Sequence, residues 1–459
     1  METPVTPPTL HRALGPAEVL FLTFSALSPA MSVFIYGDGI LHIAGGGAAW
    51  AVIVGGMVAA AMALLYAELG AAFPQAGGVY PSLVGVLGPF WAFPYITMMM
   101  VLAPALVGFT LLGMADYVRV IFPGLPAIPI AIVTGLAATL LGIQRIRFGA
   151  LVTGAFLALE AVAIIVLTAI ALTHPARSLG QVLAHPMLLS HGALVPAAPS
   201  ALALAGVSGI FACAGASWAM YFGEELKDAP RRIGRLIAWV GPLAAAVIAA
   251  PIVLMLLSAR DLGAILAADA PMAAYMARTG GPLVSALVSA GLVVALFNAA
   301  VVTILGYGRL YYATGRDGFW PAPASRLLAR ISPRTRAPAA ATWTVTLVGL
   351  AMTGLGEQRL LVLSAGENIF EYLMMAAAVL VGRRLARCGG QFRIPLHPAL
   401  PVLGLLVTAG MAVAEWLDPA AGRPSLLLLA GLFVASLAYH RLVMQRRSPA
   451  ATVAAGEAS

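Results

Sequence analysis

Two apolar segments of this chain are long enough to cross a membrane yet broken in the middle, and they occupy corresponding places in its two halves. The first runs over 16–41 and carries SALSPAMS (Ser25–Ser32); the second runs over 200–222 and carries ACAGAS (Ala212–Ser217). Small residues, hydroxyls and a proline are poor material for a continuous helix. A helix interrupted inside a bilayer leaves backbone N–H and C=O groups unpaired, which lipid does not tolerate, so such breaks persist where they line a cavity. Paired broken segments point to the substrate site of a secondary transporter.

The rest of the chain agrees with a membrane setting. Mean hydropathy is +0.95, and only 10% of residues are charged, against roughly a quarter in a soluble domain. A span needs about 20 apolar residues, and twelve candidates are found: 16–41, 48–71, 83–115, 124–143, 148–173, 200–222, 234–258, 282–312, 338–355, 360–382, 398–417 and 424–444. The third and eighth are the longest, which predicts tilt.

Basic residues set the orientation. With the N-terminus inside, 20 of the 26 Lys and Arg residues fall in cytoplasmic segments; only Arg119, Arg177, Arg260, Arg278, Arg359 and Arg423 fall outside. Both termini are therefore expected in the cytoplasm of a multi-pass plasma (inner) membrane protein. The net charge of +8 is accounted for by this topology and by anionic lipid, so no nucleic-acid partner is expected. The N-terminal METPVTPPTLHRALGP is not a cleavable signal, so the first helix is expected to stay in the mature protein. Cys213 and Cys388 are far apart with no CxxC, which predicts neither a disulfide framework nor a metal site. No cofactor is expected.

Segments one and six each begin a block of five spans. An odd number of spans per block forces the blocks into opposite orientations, the inverted repeat of many transporters. The expected division is a tail over 1–15, a ten-helix transport core over 16–395, helices eleven and twelve over 396–446, and a disordered tail over 447–459.

Three stretches carry a family likeness: YAELGAAFPQAGGVYPSLVGVLG (Tyr66–Gly88), EELKDAPRRIGRLI (Glu224–Ile237), and GRLYYATGRDGFWP (Gly308–Pro321) followed by PRTRAP (Pro333–Pro338). Together they resemble the amino acid–polyamine–organocation superfamily of permeases, whose members read close to FPEAGGxY, EExKNPRRxxPRAI and ARDGxxP at these places. The resemblance implies an all-α, LeuT-like fold of 12 transmembrane helices, with a five-plus-five inverted repeat and discontinuous helices 1 and 6. It further implies that the first break offers N–H groups to a substrate carboxylate, around Ser25, Ser28, Pro29, Ala30, Met31 and Ser32. The second break, around Phe211, Ala212, Ala214 and Gly215, would offer carbonyls to the substrate ammonium. Half-helix dipoles act in the same sense. Where the family has a GxG-like first break this chain reads PAMS (Pro29–Ser32), so side chains intrude where glycine would let a ligand approach the backbone. Phe211 falls where the family often places a gating aromatic, with packing as the other reading. Ser217 stands where some carriers of cationic substrates have an acid. Trp218 either caps the pocket or packs elsewhere.

Acids inside spans are expensive and functional by default. Glu160, in segment five, falls where some proton-coupled relatives place an ionisable residue. Burial favours the neutral form of a carboxyl group, which suits proton coupling; a structural acid held by a hydroxyl or backbone group is the alternative. Sodium coupling is the less favoured option. Glu367 and Glu371, at i and i+4, share one helical face. They either line the pathway, favouring a cationic group, or mark an exposed helix end. Asn298 is a possible tie to segment one or five. Glu68, Arg316 and Asp317 are read as gate or loop anchors, and Asp116 and Glu415 as solvated helix ends.

The expected function is proton-coupled uptake of a neutral amino acid by alternating access, with lipid, substrate and proton as partners. The alternative is an amino acid or polyamine exchanger or exporter. A channel would need pore-lining charge rings. An enzyme would need a constellation that is missing: the seven histidines lie near span ends or in loops, with no HExxH or GxSxG inside a span.

Overall fold

A computed structural model describes residues 10, 12–122, 124–356, 359–360, 363, 367–419 and 422–444. The expected tail 447–459 and most of 1–15 lie outside the described residues.

The first apolar segment comprises α1 (Pro16–Leu27), α2 (Pro29–Met31), a π-helical turn over Ser32–Tyr36, and α3 (Gly37–Ala44). Then come α4 (Ala48–Ala72), α5 (Tyr80–Leu87), α6 (Pro89–Ile121), α7 (Ala127–Gly142) and α8 (Ile146–Thr173). The second half opens with α9 (Leu179–Ala184), a hairpin of β1 (Met187–Ser190) and β2 (Ala193–Pro196), and α10 (Pro199–Cys213). It continues with α11 (Ala229–Ser258), α12 (Leu262–Leu266), α13 (Pro271–Gly280), α14 (Pro282–Arg316), α15 (Ala322–Leu328) and α16 (Ala339–Met352). The last helices are α17 (Glu367–Arg384), α18 (Ala399–Trp416) and α19 (Gly422–Tyr439).

Among the described residues, eight helical stretches are long and apolar enough to cross a membrane, and one of them, Pro16–Ala72, holds the first two expected spans end to end. Ala127–Gly142 and Ala339–Leu355 are apolar but shorter. Large apolar side chains such as Val133, Ile165, Trp239 and Leu406 are exposed on the outside of the bundle. That is unfavourable against water and ordinary against lipid tails.

The sequence reading needs three corrections. The expected span 83–115 is two helices, because Gly88 at φ 85° and Pro89 end α5 and start α6. Proline lacks the N–H that would continue the ladder. The hairpin between α9 and α10 was not anticipated, since four-residue strands leave little periodicity to read. Its turn residues His191 and Gly192 both have positive φ, as a tight two-residue turn requires. Glu415 is buried rather than solvated, because the α18–α19 turn closes over it: Asp418 N donates to Glu415 O at 3.0 Å, and Gly422 packs on its backbone. Asp116, paired with Arg119 at 3.3 Å, is solvated as expected.

Small residues set the central packing. α4 lies against both α10 and α11. A Cβ on Gly55 would strike the Gly209–Ile210 backbone, one on Gly209 would strike Ala51, and one on Gly241 would strike Ala60 and Ala63. Without a hydrophobic driving force between helices in lipid, close backbone approach supplies the van der Waals contact that holds them together. Gly209→Leu is therefore expected to destabilise the protein by about 1–3 kcal/mol or more through overpacking. Gly206→Leu, where a Cβ meets nothing within 4 Å, should be tolerated. Thermal unfolding of both variants in detergent would show it; equal behaviour would refute this packing account.

Candidate functional site

The first break centres on Ser28. It adopts a left-handed conformation (φ 45°, ψ 84°), and its N–H closes α1 on Phe24 O at 2.8 Å. Pro29, next in line, has no N–H and starts α2. The following amides are all engaged. Ala30 N donates to Glu160 Oε1 at 2.7 Å, Met31 N to Ser28 Oγ at 3.4 Å, and Ser32 N to Ser28 O at 3.0 Å. Ser28 Oγ also donates to Glu160 Oε1 at 2.9 Å, and Ser25 Oγ to Thr153 O at 3.2 Å. Ser25, Ser28 and Ala30 thus face α8, while Pro29 and Glu160 border an apolar groove between α1, α8 and α11.

The second break follows Cys213. Ala214 is extended (φ −73°, ψ 149°), Gly215 has φ 148°, and a 3-10 turn covers Ala216–Tyr221. Only glycine adopts that φ readily, and a Cβ at Gly215 would also meet the Leu27 side chain. The break thereby brings α10's carbonyl end against the first broken segment.

Between the breaks lies a cavity. Of the residues singled out from the sequence, Met31, Ser32, Phe211, Ala212, Ala214, Gly215, Ser217, Trp218, Glu367 and Glu371 line it. Ser25, Ser28, Pro29, Ala30, Glu160 and Asn298 do not. Asn298 is fully buried in α14, and among the described residues neither polar atom of its amide has a hydrogen-bond partner. The expected interhelical tie through Asn298 is thus not seen.

Aromatic rings form much of the wall. Phe211 packs edge-on against Tyr36, with centroids 5.0 Å apart; Trp218 lies 5.0 Å from Tyr221 and 5.1 Å from Tyr307. Trp218 therefore faces the cavity rather than lipid. α17 contributes the two carboxyl groups. Glu371 accepts from Tyr66 Oη at 2.7 Å and Tyr95 Oη at 3.1 Å. Glu367 accepts from Tyr307 Oη at a longer 3.4 Å. No Lys or Arg lines the cavity among the described residues. Sequence reasoning missed Tyr36, Tyr66, Tyr95, Tyr221 and Tyr307. The available signal was a hydroxyl recurring in otherwise apolar spans, because a buried Tyr O–H needs a partner.

The family-like motifs converge elsewhere. Glu225 and Arg309, both 1% exposed, form a bidentate ion pair between the segment after the second break and α14. Arg316 bonds Glu224 and Asp317, each at 3.0 Å, and Tyr80 Oη donates to Asp317 at 2.7 Å. Arg383 grips Glu68 with two bonds of 2.7 Å, and Ile394 N adds a third at 2.8 Å. Glu68, Arg316 and Asp317 are thus anchors between segments distant in sequence, away from the cavity. Outside the helices, burial pushes the Cys388 thiol up to about 11, with the Glu68 carboxylate adding to the effect.

Breaking a buried pair strands one charge. Arg309→Met is expected to destabilise by about 3–5 kcal/mol, and the joint change Arg309→Met, Glu225→Leu to recover much of that. Melting temperatures in detergent would show it; a double variant no better than the single would mean the pair acts otherwise.

A bundle of membrane-length apolar helices, with two broken ones meeting at an aromatic, carboxyl-bearing cavity, is the architecture of a solute transporter. The family model described as "Amino acid permease" matches residues 14–432, and the chain belongs to that family, within the amino acid–polyamine–organocation superfamily. It is 24% identical over 399 residues to the branched-chain amino acid permease BcaP of Lactococcus lactis subsp. cremoris, covering 80% of this chain and 81% of that protein. The protein is a multi-pass membrane transporter and not an enzyme.

Proposed function

We propose that this protein is a proton-coupled secondary transporter that takes up an amino-group-bearing solute by alternating access. The observation that carries this reading is the meeting of two broken helices at one cavity, with α10's carbonyl end turned toward it. The full reading has twelve spans: those within the eight long stretches, the two shorter apolar helices and α17. The first five and the next five form an inverted repeat over 16–395, α18 and α19 fall within 396–446, and both termini face the cytoplasm across the plasma membrane.

Met31, Ser32, Phe211, Ala212, Ala214, Gly215, Ser217 and Trp218 are assigned to substrate contact. Ser25, Ser28, Pro29 and Ala30 are assigned to shaping the first break. A neutral amino acid is favoured by the missing acid at Ser217 and by the relative's printed name. The two carboxyl groups on the cavity wall favour a solute with positive charge, which is the second reading. Exchange or export by the same cavity is the alternative mode.

Glu160 is assigned the coupling role. Its ionised form accepts from Ala30 N and Ser28 Oγ; a proton on that carboxyl weakens charge-assisted bonds tying α8 to the first break. Glu160→Gln is expected to abolish accumulation driven by a pH gradient in proteoliposomes while sparing counterflow. Accumulation that persists would make Glu160 purely structural, and accumulation driven by sodium instead would replace the proton. Gly215→Leu should abolish substrate binding, measured directly on purified protein. Unaltered affinity would move the substrate away from the second break.

A further inference from the structure

Few cations lie on the outer side in the topology proposed above, and half of them meet in one place. Of the six outside arginines, Arg177, Arg260 and Arg278 gather around a cleft of about 360 Å³ where α8, α11 and α13 end. We propose that this cleft binds a phosphate-bearing anion, supplied by the headgroup of an anionic phospholipid. It is separate from the transport cavity, and no residue lines both.

Carbonyl ends of helices repel anions, so a cleft at the C-terminal ends of α8 and α11 must first have its carbonyls satisfied. Leu257 O accepts from Ala176 N at 3.0 Å and Arg177 N at 2.8 Å, and Met255 O from Ser258 Oγ at 2.9 Å. Ala259 O accepts from the Arg177 guanidinium at 2.8 Å. At the end of α8, Ile170 O takes Thr173 Oγ at 2.9 Å and His174 Nδ1 at 3.1 Å. Arg177 is spent on this capping, whereas Arg260 and Arg278 are left over. Arg260 has no hydrogen bond or ion pair among the described residues. Arg278 has a 3.7 Å contact with Asp261, with both side chains more than half exposed, where such a pair is worth little. The other oxygen of Asp261 is committed to α12, accepting from Ala264 N at 3.0 Å. Two guanidinium forks therefore face one partly engaged carboxylate, and a phosphate oxyanion is what such forks hold bidentately.

The depth of the cleft selects the source of that phosphate. α8 has 28 residues and α11 has 30. At 1.5 Å per residue they span about 42 and 45 Å, against about 30 Å of hydrocarbon and about 40–45 Å with the headgroups included. Their ends therefore emerge among lipid phosphates. Leu172, 60% exposed, carries the lipid-facing surface of α8 to within two residues of His174 on the rim. The floor is polar and fixed: Ser258 and Tyr275, both buried, bond each other at 2.7 Å and join α11 to α13. A headgroup held by Arg260 and Arg278 would join the same two elements across the top of the cleft. Free inorganic phosphate shares the oxyanion, but only a lipid is held at the membrane surface, which raises its effective concentration there.

The test titrates three probes into the full-length protein in a neutral detergent at constant ionic strength: dihexanoylphosphatidylglycerol, dihexanoylphosphatidylcholine and inorganic phosphate. The lipids are kept below the concentration at which they form micelles, and the melting temperature is followed. A ligand that binds the folded state raises it. Phosphatidylglycerol is expected to raise it saturably, and the other two much less. The joint change Arg260→Gln, Arg278→Gln should raise the apparent Kd for phosphatidylglycerol on the order of tenfold or more. It should leave the unliganded melting temperature nearly unchanged, because neither guanidinium has a firm partner. Arg260→Lys with Arg278→Lys should restore part of the affinity, since the charge returns without the fork. Arg119→Gln, at an outside arginine paired with Asp116, should leave binding as it is. Inorganic phosphate acting as strongly as phosphatidylglycerol, with both lost in the double Gln variant, would overturn the lipid as the source and uphold the anion site. Equal binding of the two lipids, binding that the double Gln variant does not move, or no binding of any probe would overturn the proposal. Nothing in the measurement depends on transport, so these outcomes leave the reading of the cavity untouched.

Discussion

Everything about this protein's cavity follows from what a bilayer does to an unpaired peptide group. In lipid there is no water to satisfy a free N–H, so a chain that interrupts a helix at mid-membrane must supply partners from within. The two breaks meet that requirement in different ways. At the first, Ser28 and Glu160 absorb the liberated donors, and the break becomes an internal joint between α1 and α8. At the second, extended Ala214 and the positive φ of Gly215 turn the chain away, leaving α10's carbonyl end at the cavity. The asymmetry between the breaks gives the cavity its electrostatic character.

That character is reinforced by α17. Two glutamates one helical turn apart, with no basic residue beside them on the cavity wall among the described residues, are costly to hold in an apolar bundle. Tyrosine hydroxyls from α4, α6 and α14 reduce the cost by hydrogen bonding. Tyr307 does both jobs: it bonds Glu367 and, with Tyr36, Tyr221, Trp218 and Phe211, builds the aromatic wall, while Tyr66 and Tyr95 hold Glu371 from behind it.

Far from the cavity, the charged motifs do a separate job. The Glu225–Arg309 pair, the Arg316 cluster and the Glu68–Arg383 grip join segments that lie between 84 and 315 residues apart in sequence. A buried pair is weak evidence for stability but strongly resists losing one partner.

The sequence by itself determined the membrane setting, the places of both breaks and the family, because each is a local property: apolar length, helix-breaking composition, and short charged motifs. It also marked Glu160, Glu367 and Glu371, since an acid in an apolar span stands out in any context. Only the tertiary structure decided where those acids point. Glu160 sits on the first break, outside the cavity, and Glu367 and Glu371 face in; side-chain spacing along one helix does not reveal which neighbour packs on which face. It likewise decided that Ser28 and Ala30 turn toward α8, that α5 separates from α6 at Gly88, and that tyrosines from several helices form one wall. The contacts of Ser28 and Ala30 with Glu160 join residues more than a hundred positions apart, and no local pattern encodes them.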